Sequence, residues 1–148
     1  QMQRNGKATK DVLIARWSEI GDKVVALAEE FPAERYEVSP AEGVRTFGDQ
    51  LRHVAFWNVY VGKTLRREEA DGSANELPRE QFASKDAVVR ALRGSFDEVG
   101  AVIAGGQATP ETADLDSLVS FIQHGAEHYG QLVVYYRLAG IVPPASRT

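Results

Sequence analysis

The chain has no cysteine among its 148 residues. This absence excludes disulfides, thiolate metal ligands and a cysteine nucleophile, so any metal must be held by His, Asp or Glu. The chain also lacks an apolar run long enough to span a membrane, and we expect no membrane partner. A single domain covering residues 1–148 is the expected organisation for this length.

A concentrated basic surface is also missing. The 17 Lys and Arg residues are scattered among 21 Asp and Glu residues, and the net charge is −4. Nucleic acids are bound through clustered basic side chains, so we expect a small-molecule substrate instead. The chain begins with Gln1, which fits either a cytoplasmic protein, the default expectation, or an exported mature form.

Four segments repeat apolar residues in steps of four and three, which predicts amphipathic helices. The first runs from about Thr9, a candidate N-cap, to Phe31, and the second follows the N-cap Thr46 and extends to about Leu65. The third follows Ser84 and stops at Gly105 and Gly106, and the fourth opens at Asp114 and ends before Gly140. Such helices bury their stripes by packing together, so we predict an all-α four-helix bundle. Its two long connections predict a crossover between parallel helices or part of a pocket rim.

The chain has only three histidines, and all of them fall in predicted helices. His124 and His128 are four residues apart and share one face of the fourth helix, while His53 lies on the second helix. Three neutral imidazoles can hold one divalent metal and leave a coordination position open. A water at that position, or a thiol bound as thiolate, would be the reactive group. The alternative is a non-catalytic module in which the histidines only hold helices together.

Three polar residues are candidates for fixing the histidine rings. Asp49 and Gln50 lie one turn before His53, and Gln131 lies one turn after His128. The alternative for each is a helix cap or a surface position.

Three aromatic residues are candidates for the wall of a pocket at the histidines. Phe121 and Tyr135 lie on the histidine face of the fourth helix, and Trp57 lies one turn from His53. Trp17 and Tyr129 are instead expected in the core, because aromatic residues at helical spacing usually pack there.

Two further patterns suggest alternative functions. His124 to His128 matches the H-x-x-E-H pattern of some metalloproteases, but Glu127 is expected to point toward solvent and no acidic residue follows to complete the ligand set. Arg52 and Arg137 could meet an anionic substrate, but solvent or ion pairs are the expected surroundings.

Two runs of sequence resemble the DinB-like family of small bacterial four-helix proteins. They are residues 45–55, RTFGDQLRHVA, and the C-terminal run from His124 to Pro144, which contains HYGQL and YRLAG. The resemblance covers nearly the whole chain and implies an up-down-down-up bundle. It also implies that His53, His124 and His128 form a three-histidine site for zinc or nickel, and that the protein forms a homodimer.

Relatives of the DinB-like type include transferases that use low-molecular-weight thiols such as bacillithiol or mycothiol, and a maleylpyruvate isomerase. The resemblance therefore implies a metal-dependent transferase, or a related hydrolase or isomerase, with a small thiol as a second cofactor. A stress-related binding or oligomerisation module remains the alternative.

Overall fold

The computed structural model describes residues 8–106 and 112–148, and within them it contains four α-helices, two short 3-10 helices and no strand. The α-helices are α1 (Thr9–Glu30), α2 (Phe47–Leu65), α3 (Lys85–Ala104) and α4 (Thr112–Leu138), and the 3-10 turns are Ala33–Arg35 and Pro144–Ser146. No helix in this part of the chain is both long and apolar enough to cross a membrane. Gln1, on which the expectation about processing depends, lies outside the described residues.

Contacts near the helix ends give the direction of α1 relative to its two neighbours. Lys10 Nζ, near the start of α1, donates to the carbonyl of Ala104 at the end of α3 (3.2 Å), so these helices are antiparallel. The hydroxyl of Tyr136 on α4 donates to the carbonyl of Leu27 (2.6 Å), which lies close to the end of α1. α1 and α4 are therefore parallel.

α2 is antiparallel to α4 and parallel to α3. Phe47, the first residue of α2, packs against Tyr135 near the end of α4, with ring centroids 5.9 Å apart. Along α3, Asn58 Nδ2 donates to Ser95 Oγ (3.1 Å), and further on Arg66 pairs with Glu98 (2.7 Å). The order is up-down-down-up, as predicted, and residues 66–84 form the crossover between two parallel helices.

Side chains cap α2 and α3 as the sequence predicts. Thr46 Oγ1 accepts the backbone N–H of Asp49 (3.0 Å), and Ser84 Oγ accepts that of Ala87 (3.1 Å). These bonds satisfy N–H groups that have no partner within the helix.

The prediction that Thr9 caps α1 is wrong. Thr9 is the first helical residue, and Ala8 takes the N-cap position without a side-chain bond. The carbonyl of Ala8 already accepts the N–H of Val12 (3.2 Å), so the backbone ladder begins one residue earlier. The first buried residue of α1 is Leu13, so packing against the core does not determine where the helix begins.

α4 begins at Thr112, two residues before the predicted opening at Asp114. The Asp114 carboxylate is buried and forms a two-pronged ion pair with Arg67 of the crossover, at 2.8 and 3.0 Å. It therefore ties the first turn of α4 to the end of α2.

The end of α4 follows the prediction that Gly140 stops the helix. Gly140 has a φ of +74°, its N–H donates to the carbonyl of Arg137 (3.1 Å), and the N–H of Ile141 donates to that of Tyr136 (2.9 Å). This pair of bonds is a Schellman motif, which requires a left-handed residue and so favours glycine.

The core is formed by the apolar stripes of the four helices. Trp17 is 2% exposed, and its indole N–H donates to the carbonyl of Phe96 (2.8 Å), as expected for a core residue. Tyr129 is only half-buried at the edge of the core, with Lys23 Nζ 5.6 Å from its ring centroid.

Candidate metal centre

The three histidines converge between α2 and α4. His53 Nε2 lies 3.1 Å from His124 Nε2, and the three pairs of ring centroids are 4.5–5.1 Å apart. Each histidine offers one nitrogen to a group in which all three atoms lie within 4.8 Å of one another. Because α2 and α4 are antiparallel, the middle of one helix faces the middle of the other and the rings meet there.

Asn75 of the crossover fixes the His53 ring. The backbone carbonyl of Asn75 lies 2.8 Å from His53 Nδ1. A carbonyl oxygen can only accept, so Nδ1 carries the proton and the neutral ring presents a lone pair at Nε2. Asn75 also accepts from the indole N–H of Trp57 through its side chain (2.9 Å), and so it orients two residues of α2.

Sequence reasoning missed the role of Asn75. Its φ of +64° is a left-handed conformation, which Asn tolerates better than most residues. An Asn in a loop is therefore a signal for a turn that can be read from the sequence. The signal does not show that the carbonyl of this turn reaches His53.

Gln50 fixes His128 across the interface between the two helices. Its side-chain oxygen accepts the Nδ1–H of His128 at 2.6 Å, which leaves Nε2 of that ring with a lone pair. Gln50 is buried, at 5% exposure. It was expected to hold His53, but the antiparallel packing places Gln50 opposite His128 instead.

The expected pairing of Asp49 with His53 is not observed. The Asp49 carboxylate lies 2.9 Å from Arg52 Nη1 and also pairs with Arg79. Burial opposes ionisation of Asp49, but these two arginines hold the pKa of the carboxyl below its usual value. Asp49 therefore belongs to an ion cluster beside the site.

Burial lowers the pKa of all three histidines. For His124 and His128 it falls to about 4, because positive charge on a neighbouring histidine adds to the cost of burial. The side chain of the exposed Gln131, one turn further along α4, partly opposes the lowering of the His128 pKa. All three rings are neutral at pH 7, as metal ligands must be.

The donor set fits a metal ion. His124 Nδ1 is buried and has no hydrogen-bond partner among the described residues. The Nε2 atom of the same ring faces the lone pair of His53, so one nitrogen of His124 is unsatisfied in either neutral tautomer. A cation shared by the rings would use lone pairs that the protein leaves unpaired.

Aromatic rings adjoin the cluster on one side. Trp57 lies edge-on to His53 with centroids 6.4 Å apart, and Phe121 lies edge-on to His124 at 5.9 Å. Trp57 and Phe121 also contact each other, at 6.3 Å. Tyr135, the third pocket candidate, is buried and packs against Phe47, and its hydroxyl donates to the carbonyl of Arg45.

Glu127 and Arg52, which carried the two alternative functions, have partners that serve neither of them. Glu127 is exposed and accepts a hydrogen bond from Gln123 (3.0 Å), as expected from its position on the outer side of α4. Arg52 is paired with carboxylates, which is one of the two expected surroundings, and it is buried at 1% exposure.

The fold and the site define a small helical bundle with a three-histidine cluster at its centre. A family model described as the DinB superfamily matches residues 16–132, a stretch that includes all three histidines. The chain therefore belongs to the DinB superfamily. No curated protein matches the chain.

Proposed function

We propose that this protein is a divalent-metal-dependent enzyme that transfers a small thiol to an electrophile, or carries out a related hydrolysis or isomerisation. One observation carries the proposal: three neutral imidazoles from two helices place nitrogen atoms within 4.8 Å of one another. The three rings are not held together by ion pairs that stabilise the fold, because none of them is charged at pH 7.

The donor atoms favour zinc or nickel as the metal. His53, His124 and His128 offer imidazole nitrogens only, and calcium and magnesium prefer oxygen ligands. The hydrogen bonds that His53 and His128 donate to Asn75 and Gln50 orient these two rings and raise their basicity, which is the usual function of such contacts around a metal.

The number of ligands supports a reactive centre over a closed one. The cluster has three members, and a four-coordinate ion would have one position left for a water or a substrate atom. A bound divalent ion would supply positive charge that lowers the pKa of a thiol or water placed there.

The protein supplies the surroundings for such a reaction. Trp57 and Phe121 form an apolar wall beside the histidines, against which an aromatic or alkyl electrophile can pack. In the proposed transfer the thiol gives its proton to solvent, its sulfur forms a bond to the electrophilic carbon, and the leaving group departs with the bonding pair.

A structural role for the metal is the second candidate. His53 and His128 are each 7% exposed, and a metal between them would pin α2 to α4. In this case the protein would be a stress-related binding or oligomerisation module. Metal removal would then lower stability, and no substrate would be turned over.

Elemental analysis and a thiol panel test the two candidates. We expect about one zinc or nickel per chain, loss of that metal in His128→Ala, and transfer of at least one thiol to a chlorinated aromatic compound. Glu127→Gln is the matched control, because Glu127 is exposed on the same helix and should affect neither readout. Full metal retention in His128→Ala would contradict the site, and metal without any transfer would favour the structural role.

The oligomeric state is a separate part of the proposal. We propose that the enzyme acts as a homodimer on a small molecule, and sedimentation of the metal-loaded protein measures this directly. A monomer across the working concentration range would contradict it.

A further inference from the structure

Arg45 and Glu76 form an ion pair between two segments that also build the histidine site. Arg45 directly precedes the N-cap of α2, and Glu76 directly follows Asn75 of the crossover. The pair joins Arg45 Nε to the Glu76 carboxylate. Neither side chain is fully buried, at 37% and 31% exposure, so the pair is accessible to solvent and to a ligand.

The backbone on both sides of this pair is anchored to the site. The carbonyl of Asn75, next to Glu76, binds His53, and the carbonyl of Arg45 accepts the hydroxyl of Tyr135 from α4. Tyr135 lies two turns beyond His128 on the same helix. The positions of Arg45 and Glu76 are therefore fixed relative to the histidines rather than set by free loops.

The ion pair places the Arg45 guanidinium at the edge of the site. Its partner Glu76 is the residue directly after Asn75, whose backbone carbonyl lies 2.8 Å from His53 Nδ1. Arg45 donates its hydrogen bond to Glu76 through Nε, and its two terminal nitrogens form no other hydrogen bond within the described residues. The two terminal nitrogens can therefore donate to a further acceptor in the fork geometry that suits a carboxylate.

Charge balance indicates which kind of ligand would complete the site. A divalent ion beside Arg45 places three positive charges in one region, and Glu76 supplies one negative charge. Anionic ligands are attracted to such a region, and the attraction is strongest where water is partly excluded.

We propose that Arg45 selects substrates that carry a carboxylate in addition to the thiol, and that the neighbouring negative charge of Glu76 weakens this selection by repelling that carboxylate. This inference rests on the proposed metal-dependent function. The thiol would reach the histidine-bound ion while the carboxylate is held at Arg45. The substrate class is thus an anionic low-molecular-weight thiol.

Binding of simple thiols to the cobalt(II)-loaded protein tests the proposal without relying on turnover. The visible spectrum reports each titration, with 3-mercaptopropionate as the anionic probe and 2-mercaptoethanol as the neutral probe. We expect the unmodified protein to bind the anionic probe at least about tenfold more tightly, since charge-assisted hydrogen bonds to arginine favour it.

Variants at the two residues should move this preference in opposite directions. Arg45→Gln should reduce the ratio of the two affinities to about one without changing cobalt content or 2-mercaptoethanol binding. Glu76→Gln should raise the affinity for 3-mercaptopropionate because it removes a negative charge that repels the anionic probe. Arg16→Gln, which removes one charge from an exposed pair on α1, is the matched control and should behave as the unmodified protein.

The outcomes separate this proposal from the proposed function. Equal binding of the two probes by the unmodified protein, or an undiminished preference in folded Arg45→Gln, overturns the selection by Arg45. If Arg45→Gln does not fold, Glu76→Gln decides: unchanged binding of 3-mercaptopropionate overturns the proposal. Failure of every form to bind cobalt overturns the metal-dependent function, and the role of Arg45 falls with it.

Discussion

Gln50 on α2 and His128 on α4 are joined by a buried hydrogen bond of 2.6 Å, in which the Nδ1–H of the imidazole donates to the side-chain oxygen. This bond crosses the helix interface and sets the direction in which Nε2 of His128 points. It therefore links the packing of two helices to the arrangement of the candidate metal ligands.

Gln50→Leu is expected to weaken metal binding. The leucine has a similar volume but accepts no hydrogen bond, so the His128 ring loses its orientation and some of its basicity. Loss of a partner of this kind costs about 10–100-fold in metal affinity. Competition with a chromophoric chelator measures the effect, and Gln50→Glu, which keeps an acceptor, should retain most of the affinity. Equal affinities of Gln50→Leu and the unmodified protein would contradict the role of this bond.

Two substitutions at Asn75 should separate the effect of backbone strain on stability from the effect of the side-chain hydrogen bond. Asn75→Gly keeps the φ of +64° without strain but loses the bond from Trp57, at a cost of about 1 kcal/mol. Asn75→Ala loses the same bond and adds about 1–2 kcal/mol for a left-handed residue with a Cβ. Urea unfolding of both variants measures the difference.

Metal affinity provides a second measurement for the two Asn75 variants. Both keep the backbone carbonyl that binds His53, so Asn75→Gly should keep near-normal metal affinity. Equal stabilities of the glycine and alanine variants would show that the left-handed conformation is not retained in solution.

The metal-free protein should lose stability between pH 6.5 and pH 5. His124 and His128 have a pKa of about 4 when folded, against about 6.5 when unfolded, so the unfolded chain binds more protons in this window. The free energy of unfolding therefore falls as pH falls, by about 1.5 kcal/mol for each of these two histidines. Urea unfolding in the presence of a chelator at both pH values gives the measurement.

His124→Gln provides the control for this pH dependence. It removes one of the depressed titrations, and the drop in unfolding free energy between the two pH values should shrink by about 1–2 kcal/mol. A drop of the same size in both proteins would assign the effect to other groups.

Helix periodicity was enough to predict that the histidines form a cluster. It could not predict the hydrogen-bond partners of the histidines, because these depend on how the helices pack. His124 and His128 share a face because they are four residues apart, and the apolar stripes predict which face is inward. The hydrogen-bond partners of the histidine rings lie on a neighbouring helix and in the crossover. The contact between Gln50 and His128 depends on antiparallel packing, which spacing along α2 does not contain.

Arg52 shows the same limit for a charged residue. An arginine beside His53 is expected in solvent or in ion pairs, and the structure shows the ion pairs, but contacts with two distant segments also bury its side chain. Arg52 Nη2 lies 2.6 Å from Glu37 of the first long connection, and Nε donates to the carbonyl of Phe82 at the end of the crossover (2.9 Å). A charged side chain is buried only where such partners are present, and their arrival depends on the paths of two long loops.

Gly48 should be intolerant of a Cβ because it lies under this ion cluster. A Cβ at Gly48 would stand 2.7 Å from Glu37 Oε1 and 2.9 Å from Arg52 Nη1, and the Gly48 N–H already donates to the carbonyl of Tyr36 (2.8 Å). The Arg52 side chain is fully buried although Glu37 is exposed, so moving the two apart would weaken an ion pair that a buried charge needs. We expect Gly48→Ala to lower the free energy of unfolding by about 1–3 kcal/mol.

Gly94→Ala is the matched control for this prediction. Gly94 also lies within a helix, but it is exposed and a Cβ there meets nothing within 4 Å. Alanine is the better helix former, so Gly94→Ala should raise the free energy of unfolding by up to about 1 kcal/mol. Chemical denaturation of both variants provides the comparison. The same stabilising effect at both positions would show that the ion cluster around Arg52 is looser in solution than the 2.6 Å contact with Glu37 implies.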